Sequence, residues 1–440
     1  MATNRPSCSR GRRAHSVNEV DEHDASSRIP VDESETVSGF QIGIVLIGIS
    51  ITLPLMYSAG ELAQGAGFVN AVIATLTGAL ILSLMSIPAA IVGVKSRLSS
   101  YMIIEHTFGY AGAKFVNFWF GVFLLGWYAV TAELFGRTLF LAAGELSTLA
   151  VPEWAYTVLS SALVTVTTIY GFKAIDRLAL VAVPFLLLAL LAVVVLSLRE
   201  VSFAELMGTS GDAIDMPTAI SAVVGAAIVG VVLTPDLTRY ARNVRDCVTA
   251  SFLGQGGGMS IAYIVGMIPV LVWNELEPMN YMFLIGYGGM ALAVIVFATW
   301  TTNVINLYST ALAARASVPL GRYRSVVVAS GVVGTAAALV GISDNLIDFL
   351  VVMGLLVPPI AGVYLSDFFL FGRRDFSAAR LDGRPAIRVN AVVVGLGVGV
   401  LSTWMYYADR SLTSIGALDS LFLSIAIYYP LQRLTGRSAG

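Results

Sequence analysis

Charge is what this sequence has least of. Of its 440 residues only 12% are Asp, Glu, Lys or Arg, against 57% hydrophobic, and the net charge is −2. A soluble domain with so little charge would expose too much apolar surface to stay dispersed. Signs this evenly balanced give no electrostatic footprint for nucleic acid or for an acidic partner. Cysteine is nearly absent: Cys8 and Cys247 read as free thiols rather than a bridge. The three histidines, His15, His23 and His106, show no ligand spacing, so no metal-based or organic cofactor is expected. Catalytic cysteine or serine constellations are missing too, which argues against an enzyme.

What the sequence does have is long apolar blocks, with a mean hydropathy of +0.80. Many reach twenty residues, the length that crosses about 30 Å of hydrocarbon as a helix. Lipid offers no hydrogen bonds, so such blocks must be helices, and the alternating ten-residue segments of a barrel are not seen. The expected architecture is an all-α polytopic membrane protein of about twelve spans. They are placed at 38–63, 68–94, 115–143, 153–171, 177–198, 217–241, 248–273, 281–312, 324–342, 345–369, 389–408 and 416–434. Residues 1–37 are polar, lack an apolar signal-peptide core, and are expected to form a disordered cytoplasmic tail; 435–440 form a cytoplasmic end.

Orientation follows from the basic residues. With the N-terminus inside, all but Arg137, Arg199 and Arg410 of the 26 Lys and Arg fall on the inner side. The outer loops carry acids instead, among them Glu145, Glu153, Glu200, Glu275 and Glu277. The bias places both termini in the cytoplasm of a cell whose inner membrane holds the chain.

Several spans are interrupted as a plain anchor would not be. The first holds Pro54 within ITLPLMYSAG (51–60), and the sixth holds Gly225, Gly230 and Pro235. Broken helices at matching places in two halves point to a transporter site at the midplane, although proline and glycine are also common in ordinary membrane helices. The eighth span carries Thr299, Thr301, Thr302 and Asn303, polar groups that must face protein or a cavity. The threonines offer hard oxygen ligands for a small cation and Asn303 an edge for a heterocycle; interhelical bonding is the other reading. In the third span Trp127 follows Gly126, where an indole could stack on a flat ligand or simply pack. Glu133 stands four residues before Arg137, which suits an i,i+4 pair, with proton relay as the alternative. Glu61 is expected at a solvated outer vestibule and is, with Glu133, a candidate for proton coupling.

At these residues the chain resembles the nucleobase–cation symporter family, of purine-cytosine permease type, in its bacterial cytosine-permease branch. The resemblance covers about 38–430. It rests on GWY (126–128), LTPDLTRYARN (233–243), WTTN (300–303) and PPIAGVYLSDF (358–368), in that order. It implies a LeuT-type fold: repeats at about 38–198 and 217–369 in inverted orientation, with two appended spans at 389–434. It implies uptake of a nucleobase or similar heterocycle with sodium, or with protons as the alternative. By resemblance Trp127 stacks on the base, Asn303 lies close to it, and Pro54, Leu124, Ala226 and Ala227 surround it. Thr301 and Thr302 match hydroxyl ligands of a sodium site completed by main-chain carbonyls at Ala298, Thr52 and Leu55. The family has a glutamine at Leu124 and a Ser-Phe pair at Ala226-Ala227. A lost amide and a lost aromatic face are worth about 1–3 kcal/mol each, so the expected pocket is roomier and less polar. A vitamin-precursor pyrimidine, hydantoin and allantoin are alternative cargoes; an uncoupled channel or receptor is the alternative function. The sequence leaves oligomeric state open.

Overall fold

A computed structural model describes residues 30–146, 151–170, 188, 191–286, 288–317, 322–372 and 385–435. Among these the chain is almost wholly helical. Expectations for residues 1–29 (Cys8 included), for the first half of the fifth span and for the arginine-rich segment 373–384 fall outside the described residues.

The first span is two helices, α1 (Gly39–Ser50) and α2 (Leu53–Ala66), bent by 70° at Ile51 and Thr52. A capping box between Ser38 and Gln41 starts α1. Pro54 occupies the first turn of α2, where its missing N–H costs nothing and its ring sets the helix entry. The proline therefore opens the second helix rather than interrupting the middle of one.

The next helices are α3 (Phe68–Ser96), α4 (Ser100–Phe108), α5 (Tyr110–Leu146) and α6 (Glu153–Tyr170). Helical residues 191–200 follow, then α7 (Phe203–Met207), α8 (Met216–Val232) and the single turn α9 (Pro235–Thr238). Then α10 (Val244–Ser251) passes through a π-helical turn, Phe252–Gly258, into α11 (Met259–Trp273). After α12 (Pro278–Leu284) come α13 (Gly288–Ser317) and α14 (Tyr323–Leu339). The tenth span is a 3₁₀ turn, α15 (Leu346–Leu356), α16 (Pro358–Leu365) and a π turn ending at Leu370; α17 (Val389–Tyr407) and α18 (Gly416–Thr435) close the chain.

Five helices among the described residues are long and apolar enough to cross a membrane, or six counting the bent first pair; α8 and α14 are shorter apolar helices. The sixth span is interrupted as expected, but at the turn Leu233–Thr234 directly before Pro235 and not at its glycines. Helix α8 runs uninterrupted through Gly225 and Gly230 and stops at Leu233. Gly225 serves packing instead: a Cβ there would lie 1.7 Å from the Leu350 carbonyl oxygen, so only glycine lets α15 come this close. Pro235 again sits in a first turn.

The packing has an internal symmetry. Helix α2 lies against α11 as α8 lies against α3, α6 against α13 as α14 against α5, and α5 against α13. Exchanging each span with the one five places on maps these pairings onto one another, as a two-fold between halves requires. The largest buried cluster threads the first, second, sixth, seventh and tenth spans; a second joins α5, α13 and α14 around Tyr128, Phe135 and Leu307.

The last two helices are tied to the tenth span by a buried polar knot. Arg388 donates to Asp367, to the Tyr428 hydroxyl at 3.0 Å and to the Thr107 carbonyl at 2.7 Å, and Tyr428 donates to Asp367 at 3.0 Å. With each charge met by several partners, a buried pair that would otherwise be costly is tolerated.

Candidate functional site

The break in the first span is the starting point. Ile51 and Thr52 are extended, so the last carbonyls of α1 lose their helical partners. Pro54 has no N–H to offer the Ser50 carbonyl one turn earlier. Among the described residues no donor reaches the carbonyls of Ser50 or Ile51. The Thr52 carbonyl accepts the Met56 N–H at 3.1 Å, and that of Leu55 accepts the Ser58 hydroxyl at 3.1 Å. The Thr52 carbonyl keeps a lone pair for a second partner, whereas that of Leu55, inside α2, also faces the Ala59 N–H one turn on.

Helix α13 comes to this break from the other side. Ala298 shares one small apolar cluster with Ile51, Met56 and Ala262. One turn on, Thr301 is buried and donates to the Ala298 carbonyl at 2.9 Å, while Thr302 is half-buried. Thr301 and Thr302 thus follow, by one turn, the residue of α13 that packs against the break, and the unpaired carbonyls and the threonine hydroxyls are all hard neutral oxygens. Such donors suit a small monovalent cation.

The aromatic part lies on α5. Trp127 is half-buried, and its ring centre stands 5.9 Å from that of Phe349 on α15, nearly edge-on at 78°. Gly126 makes room for that ring, because a Cβ there would lie 2.7 Å from two Phe349 carbons. Leu124 and Ala227 are half-buried, and Ala226 and Pro54 are buried. Phe349 was invisible to sequence reasoning, since nothing in the tenth span marks which residue faces α5. Asn303 is fully buried, yet both its amide oxygen and nitrogen lack a hydrogen-bond partner among the described residues. Two polar neighbours on the same helix are satisfied, Trp300 donating to Thr167 at 3.2 Å and Asn306 to Thr131 at 3.5 Å, while the buried Thr299 hydroxyl is, like Asn303, without a partner among the described residues.

The acidic residues form a separate network that replaces the expected i,i+4 pair. Glu133 accepts from the N–H and hydroxyl of Ser343 at 2.8 and 2.6 Å, at the entry to the tenth span. Arg137 turns instead to Glu153 at 3.2 Å and Glu277 at 3.1 Å. Both carboxylates come from helix starts remote in sequence, Glu153 opening α6 and Glu277 preceding α12, while Glu133 is held by Ser343. In the connection between α11 and α13, burial pushes the Glu277 carboxyl up to about 7, against the opposing pull of Arg137. Glu61 is half-buried rather than solvated, with one carboxylate oxygen sealed and without a partner.

A bent first helix, a polar turn on α13 and a half-buried tryptophan on α5 are the parts from which a candidate small-molecule site between helices is built. The sequence profile of the permeases for cytosine/purines, uracil, thiamine and allantoin matches residues 30–386. The chain belongs to this permease family. Cytosine permease of Escherichia coli (strain K12) is 25% identical over 377 residues, which span 85% of this chain and 88% of that one. Hydantoin permease of Microbacterium maritypicum is 25% identical over 373 residues, covering 78% and 75% of the two chains. In three dimensions the permease superposes on the inward-facing conformation of Mhp1 with a TM-score of 0.81, at 20% identity and over 93% of both chains. Against Mhp1 in a closed conformation with bromovinylhydantoin bound, the TM-score is 0.74, again at 20% identity, over 94% of this chain and 96% of that one. The fold is therefore that of the nucleobase–cation symporters, the LeuT-type arrangement the resemblance implied, and the permease is a transporter rather than an enzyme.

Proposed function

We propose that this permease imports a flat nitrogen heterocycle by sodium symport with alternating access. The observation that carries the reading is the Asn303 amide, fully buried with neither atom paired. An unmet buried amide costs about 1–3 kcal/mol, and a substrate bearing both a donor and an acceptor on one edge removes that cost. Trp127 supplies the stacking face and Phe349 an edge; Leu124, Ala226, Ala227 and Pro54 form the apolar remainder. The apolar Leu124 and the small Ala227 favour a bulkier or less polar ring than cytosine, with a hydantoin, allantoin or vitamin-precursor pyrimidine among the cargoes.

Sodium binds where Thr301 and Thr302 meet the carbonyls of Ala298, Thr52 and Leu55. Because those ligands come from two separate helices, the ion holds α13 against the broken first span. Coupling follows if that arrangement belongs to one access state, since an ion with equal affinity for both states shifts nothing. The chain lies in the inner membrane with both ends in the cytoplasm, as the distribution of arginines favours.

The test is uptake of a radiolabelled heterocycle panel into proteoliposomes with an imposed sodium gradient. Accumulation that follows the sodium gradient supports the reading, and accumulation indifferent to it overturns sodium symport. The sealed carboxylate oxygen of Glu61 supports a second reading, proton coupling, in which a pH gradient alone drives uptake and Glu61→Gln abolishes it.

A further inference from the structure

The end of α3 and the start of α10 border an open cavity of about 480 Å³ on the face where the described chain begins. Its lining includes Lys95, Arg97, Arg242, Arg245 and the helix start at Asn243 and Val244; no acidic side chain among the described residues lines it. Lys95, Arg242 and Arg245 are exposed, and none has a carboxylate partner among the described residues. Asp246 is nearby but committed elsewhere: its carboxylate accepts from the Gly39 N–H at 2.9 Å and the Asn243 amide at 3.1 Å.

Arg97 builds the wall. It ends α3 in a left-handed conformation, φ 60°, where glycine would be unstrained, so its side chain is what the position retains. That guanidinium donates to the carbonyls of Arg239 at 3.0 Å, Ala241, and Arg242 at 3.5 Å, fixing the turn that presents Arg242 and Arg245. At the other wall, Asn243 caps only the Asp246 N–H, at 3.0 Å. The N–H groups of Val244 and Arg245 have no acceptor among the described residues. They open a helix that continues to Trp273, 30 residues in all, so its dipole adds to the positive field.

Cations crowded this way repel one another unless an anion joins them. The forked donors of arginine match the oxygens of a phosphate, and basic pockets at the ends of membrane helices are where phospholipid head groups lie. We propose that this cavity binds a phosphate group, supplied by an anionic phospholipid or by a soluble phosphate. Bound there, the phosphate bridges the end of the second span to the start of the seventh. The site stands apart from the transport site and does not depend on the transport reading.

The experiment uses delipidated full-length protein. Unfolding temperature and retained ligand, by native mass spectrometry, are followed against dioleoylphosphatidylglycerol, dioleoylglycerol and inorganic phosphate. The variants are Arg242→Gln/Arg245→Gln, Lys95→Gln, and Arg322→Gln outside the cavity. Phosphatidylglycerol should stabilise the wild type with a midpoint about tenfold lower than in the double variant. Arg322→Gln should behave as wild type and dioleoylglycerol should do nothing. The same variant-sensitive response to inorganic phosphate alone assigns a soluble source. If the double variant fails to fold, Lys95→Gln carries the same comparison. Equal responses in wild type and cavity variants to both phosphate compounds would overturn the proposal.

Discussion

Replacing Gly225 with alanine probes how the tenth span is held over the site. The new Cβ would stand 1.7 Å from the Leu350 carbonyl oxygen and 2.5 Å from its carbon, both backbone atoms that cannot rotate away. Ordinary contact is about 3.4 Å or more, so α8 and α15 must separate by roughly 1.7 Å. Overpacking of this kind costs about 1–3 kcal/mol, partly offset by the roughly 0.5–1 kcal/mol that alanine gains over glycine in a helix. Phe349 precedes Leu350, so the same displacement shifts the ring that meets Trp127. We expect Gly225→Ala to unfold at lower temperature and to raise the substrate KM. Gly230→Ala is the matched control: its Cβ meets nothing closer than a Gln255 side-chain nitrogen at 4.0 Å, and it should be neutral or slightly stabilising. Thermal unfolding in detergent and initial uptake rates in proteoliposomes measure both effects. A Gly225→Ala protein as stable and as active as Gly230→Ala would refute the close-approach argument.

Other outcomes follow from the site. Trp127→Ala should weaken substrate binding by about 1–3 kcal/mol and Phe349→Ala by less, read as shifts in competition curves; unchanged affinity for Trp127→Ala would remove the stacking role. Thr301→Ala with Thr302→Ala should raise the sodium concentration for half-maximal uptake while leaving unfolding temperature nearly unchanged, and an unaltered sodium dependence would place the ion elsewhere. The raised Glu277 carboxyl makes a pH prediction. Its folded value, about 7, lies above the ordinary 4.5, so the folded state holds the proton more tightly. Stability should therefore fall as pH rises from about 4.5 to 7, and Glu277→Gln should flatten that slope.

Much of this architecture was legible because lipid leaves the chain few choices. The apolar blocks set the helices, and the ends of α3, α17 and α18 fall within a few residues of where composition put them. The bend at Pro54 was legible too, since a proline N-terminal to small residues forces a decision about the ladder. Gly225 and Gly230 misled because glycine serves both unwinding and close packing, and only the approach of Leu350 tells which. The pairing of Glu133 with Arg137 failed for a related reason: spacing along a helix shows which partners are near, not which distant ones compete. Ser343, Glu277 and Phe349 are contributed by segments remote in sequence, and no local pattern carries that information.

The tenth span, finally, is a rod with one end in a vice. Pro358 and Pro359 remove two successive rungs from its hydrogen-bond ladder, and the Gly354 carbonyl left behind takes the Ser420 hydroxyl of α18 at 3.4 Å instead. Beyond those prolines the Asp367 knot clamps the rod to the two appended helices. Its bending stiffness is lowest at the junction, so any flexing is concentrated there and swings the half that carries Phe349. The appended spans pack along α15 as well, so they bear on the rod on both sides of that junction.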